Sequence, residues 1–282
     1  MNPVLTIAIE PKNPADLHAL LDLLGGEFVV VATDPAIVIG GFDEVQLDDT
    51  VSLIARQVAI RVHSPQIAYR ETITRPVDHD YTHKTQKPGQ IPEFARIKFR
   101  IEPTEPGMGV HILNQVVGAL LGDHILGAEA GFKSACERGR MFPVTDVRVI
   151  LTDGAYHDKD SSILSFRHAA EGGFVDAFAK AHPVFLEPIM RVEVVTPEIF
   201  LGPVIDDLNA RRGQVRRVEP HGTAQVISAM VPFSNMLGYT SSLRSLAGSQ
   251  GAFSIAFDRY ERVPDGIFDP DDRFRPAMAM RA

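Results

Sequence analysis

The stretch Gly154-Ala155-Tyr156-His157-Asp158-Lys159-Asp160-Ser161-Ser162 sets an aromatic ring, an imidazole and an ammonium between two apolar runs. The adjacent His157-Asp158 pair has the residue types for general-base work, but the sequence places no serine or cysteine nucleophile against it. Asp160 or Ser161 can cap a following helix and satisfy its free N–H groups. Capping does not account for Tyr156 and His157. Stacking and hydrogen-bonding side chains at a loop apex suit contact with folded RNA, so Tyr156, His157, Asp158 and Lys159 read as a recognition tip.

Four arginines, Arg211, Arg212, Arg216 and Arg217, fall within ten residues. Guanidinium forks match phosphate geometry. The competing reading is compensation of a helix dipole beside a solvated strand edge. His79 and His83 lie four apart, flanked by Asp78 and Asp80. On a strand both rings share a face and could hold a metal, or they are two exposed polar residues on a hairpin. No third ligand is apparent nearby, so neither a metal nor any other cofactor is expected. Cys136 reads as a small buried hydrophobe. Phe166, Phe174 and Phe178 read as the core face of a helix.

Catalytic signatures are missing from these 282 residues. No G-x-x-x-x-G-K-[ST] phosphate loop, G-x-S-x-G elbow or CxxC occurs, and no G-x-G-x-x-G follows a strand. Enzymatic activity is therefore not expected from this chain. Hydrophobic residues make up 45%, enough to build packed cores rather than a disordered chain. The net charge of −8 disfavours attachment to nucleic acid over a broad surface, so any RNA contact must use local patches and loop tips. No apolar run approaches the roughly 20 residues of a membrane span. Met1-Asn2-Pro3-Val4 lacks the layout of a signal peptide, so a cytoplasmic protein is expected. One cysteine cannot form an intrachain disulfide.

The elements that would position these residues follow from periodicity. Leu5, Ile7 and Ile9 alternate as a strand; Asn13-Pro14 then starts a helix carrying Leu17, Leu20, Leu21 and Leu24, which Gly25-Gly26 stops. Strands at 28–32 and 36–39, a helix over 43–57 and a strand at 58–62 complete the order β-α-β-β-α-β. Met190, Val192 and Val194 open a second such unit. Thr196-Pro197-Glu198 starts its first helix, whose end has Gly213 at the C′ position. Strands at 214–219 and 224–231, a helix over 235–246 and a strand at 252–260 follow. Between the two units lie extended segments at 68–83 and 94–103, helices at 110–121 and 128–138, a strand at 144–151 and a helix over 161–180. The last residues, from 265, read as a flexible tail.

Five of these stretches carry a resemblance. Ser64 to Thr72 (SPQIAYRET), Asp153 to Ser162, Leu186 to Val194 (LEPIMRVEV), Asp207 to Gly213 (DLNARRG) and Gly238 to Leu246 (GYTSSLRSL) resemble, in the same order, the C-terminal half of bacterial translation elongation factor G. The resemblance implies an α+β chain of two ferredoxin-like βαββαβ domains. They flank a central ribosomal-protein-like split βαβ domain with a left-handed crossover. Residues 1–63 correspond to domain III, 64–185 to domain IV and 186–264 to domain V, followed by the tail 265–282. The family's GTPase domain has no counterpart in this sequence.

The implied function is an elongation factor G-like, ribosome-binding role in translation, without a GTPase domain, contacting rRNA in the decoding region through the domain IV tip. The implied contacts are Tyr156, His157, Asp158 and Lys159, with Gln86, Lys87 and Gln90 on a second apical loop. Arg211, Arg212 and Arg244 follow near the C-terminus. Where the family has a glycine-rich second loop, this chain carries Pro88 and Pro92. Two further readings are an accessory or regulatory partner of a separate translational GTPase, and a small metal-dependent hydrolase reusing the fold. Neither membrane nor DNA is an expected partner.

Overall fold

The structure, a computed structural model, describes residues 3–24, 29–33, 36–41, 44–85, 92–118 and 120–267. Along the chain come β1 (Leu5–Pro11), α1 (Leu17–Leu24), β2 (Val29–Thr33), β3 (Ala36–Gly41), α2 (Glu44–Ala55), β4 (Ile60–Val62) and β5 (Gln66–Ile67). Next are β6 (Arg70–Ile73), β7 (Val77–Thr85), β8 (Glu93–Pro103), β9 (Val110–Asn114), α3 (Gly122–Arg138), β10 (Val147–Ala155) and α4 (Ile163–Lys180). The last are β11 (Pro183–Pro197), α5 (Leu201–Ala210), β12 (Gln214–His221), β13 (Ala224–Pro232), α6 (Tyr239–Ala247) and β14 (Ala252–Arg262). The result is a mixed α+β fold with three sheets. Among the described residues no helix is long and apolar enough to cross a membrane.

The chain forms two compact units: residues up to 68 together with those from 187 onward, and residues 69–186. The first unit contains a sheet of order β2-β3-β1-β4, with β5 also on β1. The alternation of β1 buries Leu5, Ile7 and Ile9. Asn13 accepts a hydrogen bond from the Ala15 N–H at 3.2 Å, so the expected start of the first helix is present as a 3-10 turn leading into α1. Leu20 and Leu24 are buried under that helix. The expected stop at Gly25-Gly26 lies outside the described residues.

The same unit holds the order β12-β13-β11-β14, again with two helices in the connections. Two details differ from the sequence reading. Thr196 does not cap a helix: the chain stays extended through Pro197 into a 3-10 turn, and the buried Thr196 hydroxyl has no hydrogen-bond partner among the described residues. The left-handed residue after α5 is Arg212, with φ 62°, rather than Gly213. Gly213 is needed for a different reason, because a Cβ there would lie 2.5 Å from the Leu208 carbonyl oxygen. The helix expected from 235 begins at Tyr239, after a 3-10 turn at 233–235 and Gly238 with φ 71°.

The second unit is built on the sheet β7-β8-β10-β9, in which β9 runs parallel to β10 and the other pairs are antiparallel. Residues 183–186 of β11 pair with β6 beside it. The helix expected over 110–121 is a correction: residues 110–114 form β9, aligned Val110 with Val147 through Asn114 with Leu151. Backbone pairing to β10 overrides any local helical preference in this short apolar run. Only α3 follows. Glu71, 2% exposed, takes the Arg140 and Met141 N–H groups at 2.9 Å each and so closes the turn after α3.

One face of this sheet is apolar and covered by α3 and α4, with Phe99, Phe132, Phe166 and Phe174 in its core. The two helices meet backbone to backbone. A Cβ on Gly127 would lie 2.3 Å from the Ile163 carbonyl oxygen, and one on Gly131 2.4 Å from that of Arg167. Since the obstructing atoms are helical backbone, Gly131→Ala is expected to destabilise the protein by about 1–3 kcal/mol, read as a lower urea midpoint. An unchanged midpoint would show that the helices can part freely.

Candidate functional site

The loop between β10 and α4 is fixed by Ser161. Its hydroxyl accepts from the His157 N–H at 2.8 Å and donates to the Phe94 carbonyl at 2.6 Å. The Phe94 N–H in turn donates to the Asp160 carbonyl at 2.8 Å. The loop is thereby stitched to the first residues of β8. The helix cap is Ser162, in a reciprocal capping box with Ser165, and not Asp160 or Ser161 as expected. Asp160 instead places a carboxylate oxygen 3.2 Å from His157 Nδ1. His157, Asp158 and Lys159 are exposed.

Tyr156 is 40% exposed and has a packing role that the sequence did not suggest. Its ring centroid lies 5.0 Å from that of His124, which stacks on Phe166 at 4.5 Å and 14°. Thus a buried histidine and a core phenylalanine support one face of the tyrosine. A shallow cleft of ≈ 370 Å³ opens between this loop and the β7–β8 hairpin, lined by Lys84, Glu93, Phe94, Tyr156 and His157 among others. It presents aromatic, cationic and anionic groups together. Gln86, Lys87 and Gln90, expected on the second apical loop, lie outside the described residues.

His79 and His83 do share a face of β7, the face toward α4. They are not simply exposed hairpin residues. His79 packs edge-on against Phe99 at 5.7 Å, and its Nε2 is buried without a hydrogen-bond partner among the described residues. His83 Nε2 lies 2.7 Å from Glu93 Oε2, and His168 Nδ1 lies 3.0 Å from the same oxygen. Both hydrogen bonds hold the Glu93 carboxyl below the usual carboxylate range. Asp78 and Asp80 point to the other face. There Arg100 holds Asp78 at 2.8 Å, and Arg96 grips Asp80 through two bonds of 2.9 and 2.5 Å. The sequence singled out neither Glu93, whose place opposite Thr85 depends on the hairpin register, nor His168 or His124.

The arginines separate into different roles. Arg211 is clamped by Asp207 at 2.8 Å, the Asn235 carbonyl at 2.6 Å and Ser242 at 2.7 Å, and lies over the Tyr239 ring. Arg212 forms a two-pronged pair with the buried Glu187, at 2.6 and 3.2 Å. Both are committed within the fold. Arg244 on α6 is exposed, and among the described residues its side chain has no ion pair.

Burial lowers the pKa of His124, against an opposing effect of Asp123, and burial with Lys180 lowers that of His79, against Asp176 and Asp80. The unfolded chain therefore takes up protons on these rings that the folded chain resists. Their contribution to stability is complete above the ordinary histidine value of about 6.5 and is lost as pH falls below it through the depressed folded-state values. Urea midpoints measured from about pH 7.5 to 5 should fall for the wild type and fall less steeply for His124→Phe. Equal slopes would contradict this assignment.

The geometry now stands beside known proteins. Residues 65–182 match the family model of elongation factor G, domain IV, and residues 184–270 match that of the elongation factor G C-terminus. Elongation factor G of Paracoccus denitrificans is 45% identical over 280 residues, covering 95% of this chain and 40% of that protein. The Rhodopseudomonas palustris protein is 43% identical over 281 residues, covering 94% and 40%. A crystal structure from Thermus thermophilus superposes with a TM-score of 0.74 at 30% identity, covering 94% of this chain and 41% of that one. The chain thus spans about 40% of the length of these relatives. Sequence and fold agree that it belongs to the elongation factor G family, carrying that family's domain IV and C-terminal domain.

Proposed function

We propose that this chain is a cytoplasmic, elongation factor G-like protein of translation that binds the ribosome and contacts its decoding region through the tip of the 69–186 unit. The observation that carries the reading is the tip itself. Tyr156 is half-exposed on a stacked support, and His157, Asp158 and Lys159 project from a loop stitched to β8, all within the domain IV match. A pre-positioned ring can stack on an unpaired base without first ordering a loop.

The same reading takes residues 1–63 as domain III, 64–185 as domain IV and 186–264 as domain V. The outer two are ferredoxin-like, since each has the connection order βαββαβ and the strand order 2-3-1-4. The β9–α3–β10 connection is read as the left-handed crossover. Arg244 is the arginine available to meet phosphate, because Arg211 and Arg212 are engaged internally. No catalytic step is assigned to the chain. It acts by occupying a site on rRNA.

Co-sedimentation with ribosomes over a salt series tests this. Association should be strongest at low salt. Tyr156→Ala combined with His157→Ala should weaken it about tenfold or more, because stacking one base on an aromatic ring contributes about 1–3 kcal/mol. Arg244→Ala should flatten the salt dependence. No association at low salt would sink the proposal. Capture of a separate translational GTPase in place of ribosomes would favour an accessory role instead.

A further inference from the structure

His83, Glu93 and His168 come from three different elements, the end of β7, the start of β8 and the second turn of α4. Their ligating atoms, His83 Nε2, His168 Nδ1 and one Glu93 oxygen, all lie within 4.8 Å of one another. The two imidazoles are not stacked: their centroids are 5.4 Å apart with planes at 60°, and each directs a nitrogen at Glu93 Oε2. Two structural constraints hold this convergence. The hairpin register sets Glu93 opposite Thr85, diagonal to His83 on the same face. The helix is pressed onto β7 at Gly172 and Gly173, where an added Cβ would meet the Tyr81 side chain at 2.5 and 3.0 Å. His168 is therefore delivered to the hairpin by packing that does not involve the cluster.

We propose that these three residues form a binding site for a divalent transition metal of the Zn²⁺ class, which fastens the β7–β8 hairpin to α4 at the base of the tip. Two imidazole nitrogens and a carboxylate oxygen are a ligand set that zinc accepts, leaving a fourth position for water. The set is wrong for Mg²⁺ and Ca²⁺, which take oxygen ligands. Ligands about 2.0–2.2 Å from a tetrahedral ion sit roughly 3.3–3.6 Å apart. The Glu93 oxygen is 2.7 and 3.0 Å from the two nitrogens, so these two separations need to lengthen by only several tenths of an ångström. The side chains are 19%, 22% and 39% exposed for His83, Glu93 and His168, and Glu93 lines the cleft, so an ion can enter and keep a water. Binding replaces the two hydrogen bonds to Glu93, each imidazole ligating through the nitrogen that faces Glu93 and keeping its one proton on the other ring nitrogen, with any second proton released to solvent. The result is a cross-link between both ends of the 86–91 connection and the helix behind it.

The test uses the full chain after chelator treatment, titrated with ZnCl₂ by calorimetry and with Co²⁺ by visible absorption. One Zn²⁺ per chain is expected, with a Co²⁺ spectrum of four-coordinate type and a thermal midpoint raised by zinc. His168→Ala removes a half-exposed ligand from a helix surface and leaves the fold intact by circular dichroism. It should weaken zinc more than about 100-fold, beyond the 10–100-fold typical of losing an outer partner. His83→Ala and Glu93→Gln should do likewise. His221→Ala, at an exposed histidine on β12, should leave affinity unchanged. The proposal is overturned by absence of stoichiometric zinc binding, by binding that His168→Ala does not weaken, or by displacement of zinc by Mg²⁺ at equal concentration.

Discussion

The hydroxyl of Ser161 accepts one backbone N–H and donates to one backbone carbonyl, and by doing so joins two parts of the chain that are 67 residues apart. On one side stands His157, at the head of the exposed loop; on the other stands Phe94, at the start of β8. The Phe94 N–H closes the ring of bonds on the Asp160 carbonyl. Because β8 is fixed by β7 and β10 on its two edges, this stitch gives the loop the rigidity of the sheet. Tyr156 then rests on His124 and Phe166, and Glu93 is brought next to the cleft. Without the stitch, each of these placements would depend on a loop held only at its two ends. Preorganisation of this kind removes an ordering cost that a mobile loop would meet on binding.

The two faces of the β7–β8–β10 sheet explain how an acidic chain can present such a tip. On the outer face, charge is neutralised locally in a ladder, with Arg96 on Asp80, Arg100 on Asp78 and Glu102, and Arg148 on Glu102. Exposed pairs of this type contribute little to stability, but they leave few uncommitted cations on that face. The inner face carries the apolar core. Among the described residues, cations without an ion pair include Lys84 and Lys159 at the loop ends and Arg244 on α6. Arg211 and Arg212 show the same division. Their forks are taken up by Asp207 and the buried Glu187, so these two arginines hold α5 and its C-terminal turn in place.

How much of this was legible beforehand depends on the range of the interaction. The βαββαβ order at both ends of the chain could be read because strand alternation and proline or glycine punctuation are local. The Asn13 start and the burial of Leu5, Ile7 and Ile9 follow from the same local rules. The helix expected at 110–121 failed because a five-residue apolar run has no period of its own; its parallel partner, Val147 to Leu151, decides its state. Thr196 looked like a cap, but burial in β11 outweighs its capping preference. At the site, Tyr156 to Lys159 stood out because the residues are adjacent. Glu93 lies ten residues from His83, and His168 lies 75 from Glu93, so only folding brings the three together.

Amide hydrogen exchange at His157 and Phe94 tests the central claim, that the tip is held as one piece by Ser161, most directly. In the wild type both amides should exchange slowly, as hydrogen-bonded groups of an ordered element do. In Ser161→Ala the His157 amide should exchange far faster, while amides within α4 keep their protection. Fast exchange of His157 and Phe94 in the wild type, or protection that survives loss of the hydroxyl, would contradict the account.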